Sequence, residues 1–188
     1  SNGPPPTAYV VFEHLEFMVA GQGCEYELGQ RVALMHRCGG TNGFGFHVNN
    51  TIGATPQVNL PWVRDNDDWA GFWQKYRLDY MLKRCRNVGL KDRDVERLKE
   101  KTRELLLEHK VVPSLLHGDL WGGNKGYVTL DEKVTPVIFD PATYYGDREA
   151  DIAMTHIFDG FGMDFYEGYE SEWPLQVGYE KRRTIYNL

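Results

Sequence analysis

A polar loop followed by a short hairpin constrains the fold of this chain most. The loop reads LLHGDLWGGN over 115–124, and the next residues, GYVTLDEKVTPVIFDP over 126–141, form the pattern of two short strands around a turn. A loop, a hairpin and the end of its second strand can converge on one point. We therefore expect the polar side chains of Asp119, Asn124 and Asp140 to share one site.

Helical segments surround this loop and hairpin. Apolar residues recur at helical spacing over 28–40, 65–89 and 92–110, and a further helix is predicted over 147–161. An extended strand is predicted over 8–17. The segment 65–89 carries a stripe of aromatic residues that predicts core packing: Trp69, Phe72, Trp73, Tyr76 and Tyr80. The chain is thus predicted to be α+β and mostly helical, with a short β-hairpin beside the polar residues.

A long loop with little regular structure is predicted over 41–62, where the sequence TNGFGFHVNNTIGATPQVNLPW is rich in Gly, Asn and Pro. Loops of this length inside a compact chain are usually functional, or packed on the surface for a reason.

The composition argues against several classes of function. The 188 residues carry a net charge of −6 without a run of Lys and Arg, so no nucleic-acid partner is expected. No apolar run approaches the roughly 20 residues that a membrane span requires, and no secretory signal is evident, so no membrane partner is expected. The cysteines Cys24, Cys38 and Cys85 are scattered, which predicts reduced thiols and a cytoplasmic location.

The residue types at positions 119, 124 and 140 suit phosphoryl transfer. In that chemistry one carboxylate accepts or orients the proton of the attacking hydroxyl, while a second carboxylate and an amide oxygen hold Mg²⁺ against the phosphates of ATP. The stretch from His117 to Asn124 has the spacing of the protein-kinase loop H-R-D-x-x-x-x-N, with Gly118 in place of the Arg. An Asn in a Gly-rich loop is also a common turn residue, so each residue alone is a weak signal.

Several segments together resemble the fructosamine kinase family, or ketosamine 3-kinases. That family shares the protein-kinase-like fold with aminoglycoside phosphotransferases and choline kinases. The resemblance covers Tyr9 to roughly Asn187. Its segments are LLHGDLWGGN (115–124), VIFDPATYYGDREADIAM (137–154), VVFEHLEF (10–17), GFGFHVNNTIGATPQVN (43–59) and DDWAGFWQKYRLDYML (67–82). The resemblance implies that residues 21–188 form the C-terminal lobe, that 1–20 form a linker and hinge strand, and that the N-terminal ATP lobe is absent from this chain.

The resemblance also implies a role for each matching residue. These are Asp119 as catalytic base, Asn124 and Asp140 as metal ligands, the backbone of Glu13 and Leu15 as the adenine contact, Trp121 beside the sugar, and His117 and Asp151 as supports of the loop. ATP and Mg²⁺ are the implied cofactors.

The implied reaction is ATP-dependent phosphorylation of ketosamines at the third-carbon hydroxyl, which deglycates small amines or protein lysines. Much of the rate in phosphoryl transfer comes from positioning and charge stabilisation. The chain alone is expected to have little activity, because the absent N-terminal lobe would supply part of both. Three alternatives stay open. They are another small-molecule kinase of the same fold, a non-catalytic sugar-binding module, and a metal-dependent hydrolase using His117, Asp119, Asp140 and His156.

Overall fold

A computed structural model describes residues 9, 11–38, 43–60, 68–85 and 89–188. The helices are α1 (Cys24–Arg37), α2 (Trp69–Trp73), α3 (Asp79–Arg84), α4 (Asp92–Leu107), α5 (Arg148–Met154), α6 (Met163–Glu172) and α7 (Tyr179–Tyr186), with a π-helical turn at Gln74–Leu78 and a 3₁₀ turn at Gly122–Asn124. The strands are β1 (Asn50–Ile52), β2 (Thr55–Gln57), β3 (Ser114–Leu116), β4 (Lys125–Leu130), β5 (Lys133–Ile138) and β6 (Tyr144–Gly146). The predicted α+β, mostly helical fold is confirmed.

The described strands form three two-stranded antiparallel sheets, which pair β1 with β2, β3 with β6, and β4 with β5. In the β3–β6 sheet, Leu116 lies opposite Tyr144. The chain therefore leaves β3 toward Asp119 at the same end where it enters β6 from Asp140. The β4–β5 sheet is the predicted hairpin, and it runs from Lys125 opposite Ile138 to its turn. These two pairings bring the loop after β3 and the segment before β6 together.

The loop after β3 is anchored in two separate cores. Leu116, just before the loop, is buried with Phe44, Trp69 and other aromatic residues of the first core. Leu120, just after Asp119, is buried in the second core, which lies between α1 and α6. Full burial of a Leu side chain contributes about 1.5–3 kcal/mol. Fixing both ends in this way leaves the polar residues between them little freedom to move.

Three predicted helices have different bounds in the structure. The helix predicted over 65–89 begins at Trp69, where the Asp68 carboxylate caps it by accepting a bond from the Gly71 N–H at 2.8 Å. Residues 65–67 and 86–88 lie outside the described part of the chain. The helices predicted over 28–40 and 147–161 instead span Cys24–Arg37 and Arg148–Met154.

The strand predicted over 8–17, which includes the hinge strand, is wrong for the residues that can be judged. Residues 11–20 have neither helix nor strand structure, and 1–8 and 10 lie outside the described residues. A strand needs a neighbouring edge for its backbone groups. The backbone hydrogen bond recorded for this segment joins the Met18 N–H to the Tyr127 carbonyl at 2.8 Å.

Among the described residues, no helix is both long and apolar enough to cross a bilayer.

Candidate catalytic site

A buried carboxylate from α5 holds the loop at its first two residues. The backbone N–H groups of His117 and Gly118 donate to Asp151 Oδ2 and Oδ1 at 2.7 and 2.9 Å. His36 Nε2 lies 3.1 Å from the same carboxylate. Burial alone would raise the pKa of Asp151, but these hydrogen bonds and the nearby imidazoles hold that pKa below its usual value. Asp151 therefore stays ionised and fixes the backbone that leads to Asp119.

The ring of His117 links the loop to the end of β5. His117 Nε2 lies 2.9 Å from the Phe139 carbonyl oxygen, which can only accept, so Nε2 carries the proton. His117 Nδ1 then accepts from the Asp119 N–H at 3.3 Å. Both ring nitrogens are thus engaged by backbone groups, and neither is available as a metal ligand. His156 has its Nδ1 3.3 Å from the Tyr166 hydroxyl and its ring stacked on that tyrosine. These contacts disfavour the hydrolase alternative.

The amide of Asn124 joins Asp119 to Asp140. Asn124 Nδ2 lies 2.9 Å from the Asp119 carbonyl, 3.1 Å from Asp119 Oδ2 and 3.5 Å from the Asp140 carbonyl. Only the nitrogen end of an amide can donate to these oxygens, so the orientation of the side chain is fixed by its partners. Asn124 Oδ1 then faces away from them and has no recorded partner in the part of the chain that the structure describes. The structure thus brings Asp119, Asn124 and Asp140 together, as their spacing predicts.

The backbone of Asp140 is held in an unusual conformation. Its φ is +53°, in the left-handed region that non-glycine residues seldom adopt. The residues on either side are fixed to the loop, because the Phe139 N–H donates to the Asn124 carbonyl at 3.1 Å and the Ala142 N–H donates to the His117 carbonyl at 2.8 Å. The Asp140 side chain remains exposed at the edge of this junction.

The electrostatic environment shifts the proton affinity of Asp119. Partial burial raises its pKa most, and the negative charges of Asp151 and Asp140 raise it further, while the Asn124 hydrogen bond and His117 lower it. The net effect is a pKa above the usual value. A carboxylate with a raised pKa is a better proton acceptor than a freely solvated one.

The donor set at this junction fits a hard divalent cation. The Asp140 carboxylate and the free Asn124 Oδ1 are oxygen ligands of the kind Mg²⁺ prefers, and Mg²⁺ completes its shell with water and phosphate oxygens. The residues present therefore fit the magnesium that phosphoryl transfer requires.

A second cluster in the described residues, His109, Asp147 and Glu149, has ligand atoms within 4.8 Å of one another. It is already neutralised by protein groups. Arg182 binds both carboxylate oxygens of Glu149 at 2.6 and 2.8 Å, and His109 Nε2 lies 2.8 Å from Asp147 Oδ2. All of these residues are buried. The cluster is a buried ion-pair network.

The Trp121 side chain of the loop packs against a second aromatic ring. Its indole contacts the Phe158 ring in a T-shaped arrangement with centroids 5.5 Å apart, and both side chains are exposed, by 37% and 57%. The ring also lies against Gly123, where a Cβ atom would be 2.1 Å from an indole carbon. The Trp-Gly-Gly sequence therefore lets the indole lie flat on its own loop. Phe158 carries no motif of its own and was not predicted from the sequence.

The two residues expected to contact adenine lie on the unpaired segment before α1. Glu13 is exposed and Leu15 is half-buried, and no contact recorded among the described residues joins either one to Asp119, Asn124 or Asp140. The segment does reach the hairpin further along, where the rings of Phe17 and Phe139 lie 5.2 Å apart.

Comparisons with known proteins show which sequences this chain resembles. The sequence model of the family described as fructosamine kinase matches residues 5–188. A protein of Synechocystis named probable ketoamine kinase is 45% identical over 181 residues, which are 96% of this chain and 59% of that protein. The protein named protein-ribulosamine 3-kinase, chloroplastic, of Arabidopsis thaliana is 42% identical over 189 residues, which cover 98% of this chain and 55% of that protein.

Solved structures show the same architecture. A crystal structure of a Haemophilus somnus protein assigned as a fructosamine-3-kinase superposes with a TM-score of 0.79 at 30% identity, covering 93% of this chain and 57% of that one. A similarly assigned Thermobifida fusca protein gives a TM-score of 0.76 at 26% identity, covering 93% of this chain and 59% of that one. The chain thus spans a little more than half the length of the curated relatives it matches.

Proposed function

This chain belongs to the fructosamine kinase family, and from that premise we propose that it carries the catalytic centre of an ATP-dependent ketosamine 3-kinase. The observation that carries the proposal is the Asn124 amide, which ties the Asp119 carboxylate to the Asp140 backbone and leaves its own oxygen free. In this proposal residues 21–188 are the catalytic lobe, and 1–20 lead into it as linker and hinge.

Each residue of the site has a distinct part in the proposed reaction. Asp119 orients the attacking hydroxyl and accepts its proton, which its raised pKa favours. Asn124 Oδ1 and the Asp140 carboxylate would hold Mg²⁺, which neutralises charge on the phosphates when it is bound. The exposed indole of Trp121 offers an apolar face to the sugar. The backbone of Glu13 and Leu15 would meet adenine.

The names of the relatives support a ketosamine substrate, meaning a sugar-modified small amine or a glycated lysine of a protein. They are called ketoamine and ribulosamine kinases, which favours a ketosamine over an aminoglycoside or choline. The free cysteines support a reducing compartment, of which the cytoplasm is our proposal, although the Arabidopsis relative is named chloroplastic.

The proposal is tested by phosphate transfer from ATP to a fructosamine, measured on a full-length protein that contains this chain. Asp119→Asn should lower kcat by roughly 10²–10⁴-fold, as expected for loss of a general base, and should leave nucleotide affinity nearly unchanged. Asp140→Asn should also weaken binding of the magnesium–nucleotide complex. The exposed Asp164 on α6 provides a matched control as Asp164→Asn. Full activity in both site variants would refute the assigned roles.

A separate measurement distinguishes the two remaining alternatives. Ketosamine and Mg-ATP are titrated individually into the same protein by calorimetry. Binding of both supports the kinase, whereas sugar binding without nucleotide binding indicates a non-catalytic module. A substrate panel that includes an aminoglycoside and choline then tests for a different small-molecule kinase.

A further inference from the structure

The central loop, residues 43–60, makes contacts that the roles above do not use. It runs along β6, where the backbones of Gly45 and Tyr145 exchange two hydrogen bonds of 2.9 and 2.8 Å. This pairing places the amide side chains of the loop next to the segment that connects Asp140 to β6.

Two of these amides bind the backbone of that segment. Gln57 Nε2 donates to the Ala142 carbonyl at 2.8 Å, and Asn50 Nδ2 donates to the Thr143 carbonyl at 2.8 Å. Gln57 is 6% exposed. The Gln57 Nε2 group donates both of its hydrogens, to the Ala142 carbonyl and to Asn50 Oδ1. Breaking either bond would leave a buried polar group without water, so this side chain holds its geometry closely.

The orientation of these amides is set by a second layer of contacts. Asn50 Oδ1 accepts from Gln57 Nε2 and from Asn59 Nδ2, each at 2.9 Å. Arg77, from the π-helical turn, donates to Asn59 Oδ1 at 2.8 Å and to the Val58 carbonyl at 2.7 Å. The donors and acceptors thus form one connected network, in which no amide can flip without losing partners.

The backbone of Ala142 is the point where this network meets the loop 115–124, the catalytic loop of the proposed function. Its N–H donates to the His117 carbonyl at 2.8 Å, and its carbonyl accepts from Gln57. The same carbonyl lies against Gly118, where a Cβ atom would be 2.1 Å away. The central loop, the catalytic loop and the segment after Asp140 therefore meet at the backbone of one residue.

The strained backbone of Asp140 is held from both sides. The carbonyls of Phe139 and Asp140 accept from His117 and Asn124 of the catalytic loop. Those of Ala142 and Thr143 accept from the central loop. A non-glycine residue with positive φ persists only where its surroundings determine its conformation. The central loop supplies the C-terminal half of that restraint.

We propose that Gln57 and Asn50 are positioning residues, which set the place of the Asp140 carboxylate relative to Asn124 by fixing the Ala142–Thr143 backbone. The inference rests on the proposed function, in which Asp140 holds the divalent cation. It gives the long central loop a defined task in metal binding although none of its side chains is a metal ligand.

The test is the affinity of the full-length protein for Mn²⁺ in the presence of ADP, read from the electron paramagnetic resonance signal of free Mn²⁺. Gln57→Ala removes both donated hydrogen bonds and should weaken Mn²⁺ binding about 10-fold, the lower end for a residue that orients a ligand. Asn50→Asp keeps the oxygen that accepts from Gln57 but loses the donor to Thr143, and should weaken it several-fold. The concentration of Mg²⁺ that half-saturates activity should rise in parallel, while kcat at saturating Mg²⁺ should recover.

Asn49 provides the matched control. It lies in the same loop, and its Oδ1 accepts from the N–H groups of Asn59 and Leu60 at 2.8 and 3.0 Å, but its recorded contacts do not include residues 139–143. Asn49→Ala should stay within twofold of wild type in Mn²⁺ affinity. The positioning role would be overturned if Asn49→Ala lost as much Mn²⁺ affinity as the Gln57 and Asn50 variants, with the loss in each variant following its melting temperature.

Asp140→Asn separates failure of this inference from failure of the proposed function. If it leaves Mn²⁺ affinity unchanged, Asp140 is not a ligand and both proposals fall. If it weakens binding while the Gln57 and Asn50 variants keep wild-type affinity, only the positioning role is wrong. If Gln57→Ala fails to fold, the Mn²⁺ affinity of Asn50→Asp alone tests the positioning role. That variant keeps the side-chain oxygen that accepts from Gln57 and Asn59.

Discussion

Gly118 occupies the position where the protein-kinase loop has Arg, and its backbone explains the exchange. Its φ is +82°, and a Cβ atom would lie 2.1 Å from the Ala142 carbonyl oxygen. The spacing of Asp119, Asn124 and Asp140 predicted that they would meet, because a loop and a hairpin strand end can converge. The sequence could not show that Asp140 has positive φ or that Gly118 touches Ala142, because both depend on contacts between distant segments.

Gly118→Ala should destabilise the protein far more than Gly89→Ala. Both glycines have positive φ, +82° and +77°, but a Cβ atom at Gly89 meets nothing within 4 Å. Gly89→Ala should therefore cost roughly 1–2 kcal/mol from backbone strain alone. Gly118→Ala adds overpacking against a fixed carbonyl, which raises the cost to roughly 3 kcal/mol or more. Urea unfolding at neutral pH measures both, and equal losses would contradict the close approach at Gly118.

The β4–β5 hairpin places Asn124 just before its first strand and Asp140 just after its second. The pattern of two short strands around a turn predicted this hairpin, and the pairing from Lys125–Ile138 to Leu130–Lys133 confirms it. By contrast, the π-helical turn at Gln74–Leu78 could not be predicted from a 3.6-residue period. The turn contains Arg77, whose side chain points inward, with its guanidinium 4.2 Å from the centre of the Tyr144 ring.

Glu132→Gly should stabilise the hairpin. The two-residue turn has Asp131 at φ +49° and Glu132 at φ +63°, the positive values that favour Asp-Gly in this kind of turn. Relief of strain at Glu132 is partly offset by the greater freedom of glycine in the unfolded chain, so the net gain should be roughly 0.5–1 kcal/mol. Gly53→Ala, at φ +53° in open space, is the reverse control and should be destabilising. Thermal unfolding reports both, and a loss of stability in Glu132→Gly would argue against the strained turn.

At the scale of the whole molecule, a buried ion network joins α7 to α5 and to the end of α4. Arg182 on α7 binds Glu149, while the Tyr186 hydroxyl donates to Asp147 at 2.5 Å. The sequence predicted the helix that contains α5, but only as a separate segment. The attachment of α5 to α7 through charges could not be predicted, because charged residues in a sequence usually indicate exposed positions.

This network predicts a loss of stability in acid. Burial alone would raise the pKa of Asp147, but His109, Tyr186 and the Glu149 N–H hold it below its usual value. A folded pKa below the unfolded one contributes stability that is complete above about pH 4 and is lost as pH falls through the folded pKa. The urea midpoint should therefore drop steeply below about pH 4. Asp147→Asn should be less stable at pH 7, yet its urea midpoint should fall less steeply as pH decreases, with Asp164→Asn as control. Parallel curves of urea midpoint against pH for wild type and Asp147→Asn would contradict the assignment.

The most direct test is an anomalous diffraction map of the full-length protein crystallised with Mn²⁺ and ADP. The proposed centre predicts a manganese peak within bonding distance of Asn124 Oδ1 and an Asp140 carboxylate oxygen, on the side of Asp119. A peak that avoids these oxygens, or one that lies instead among His109, Asp147 and Glu149, would contradict it.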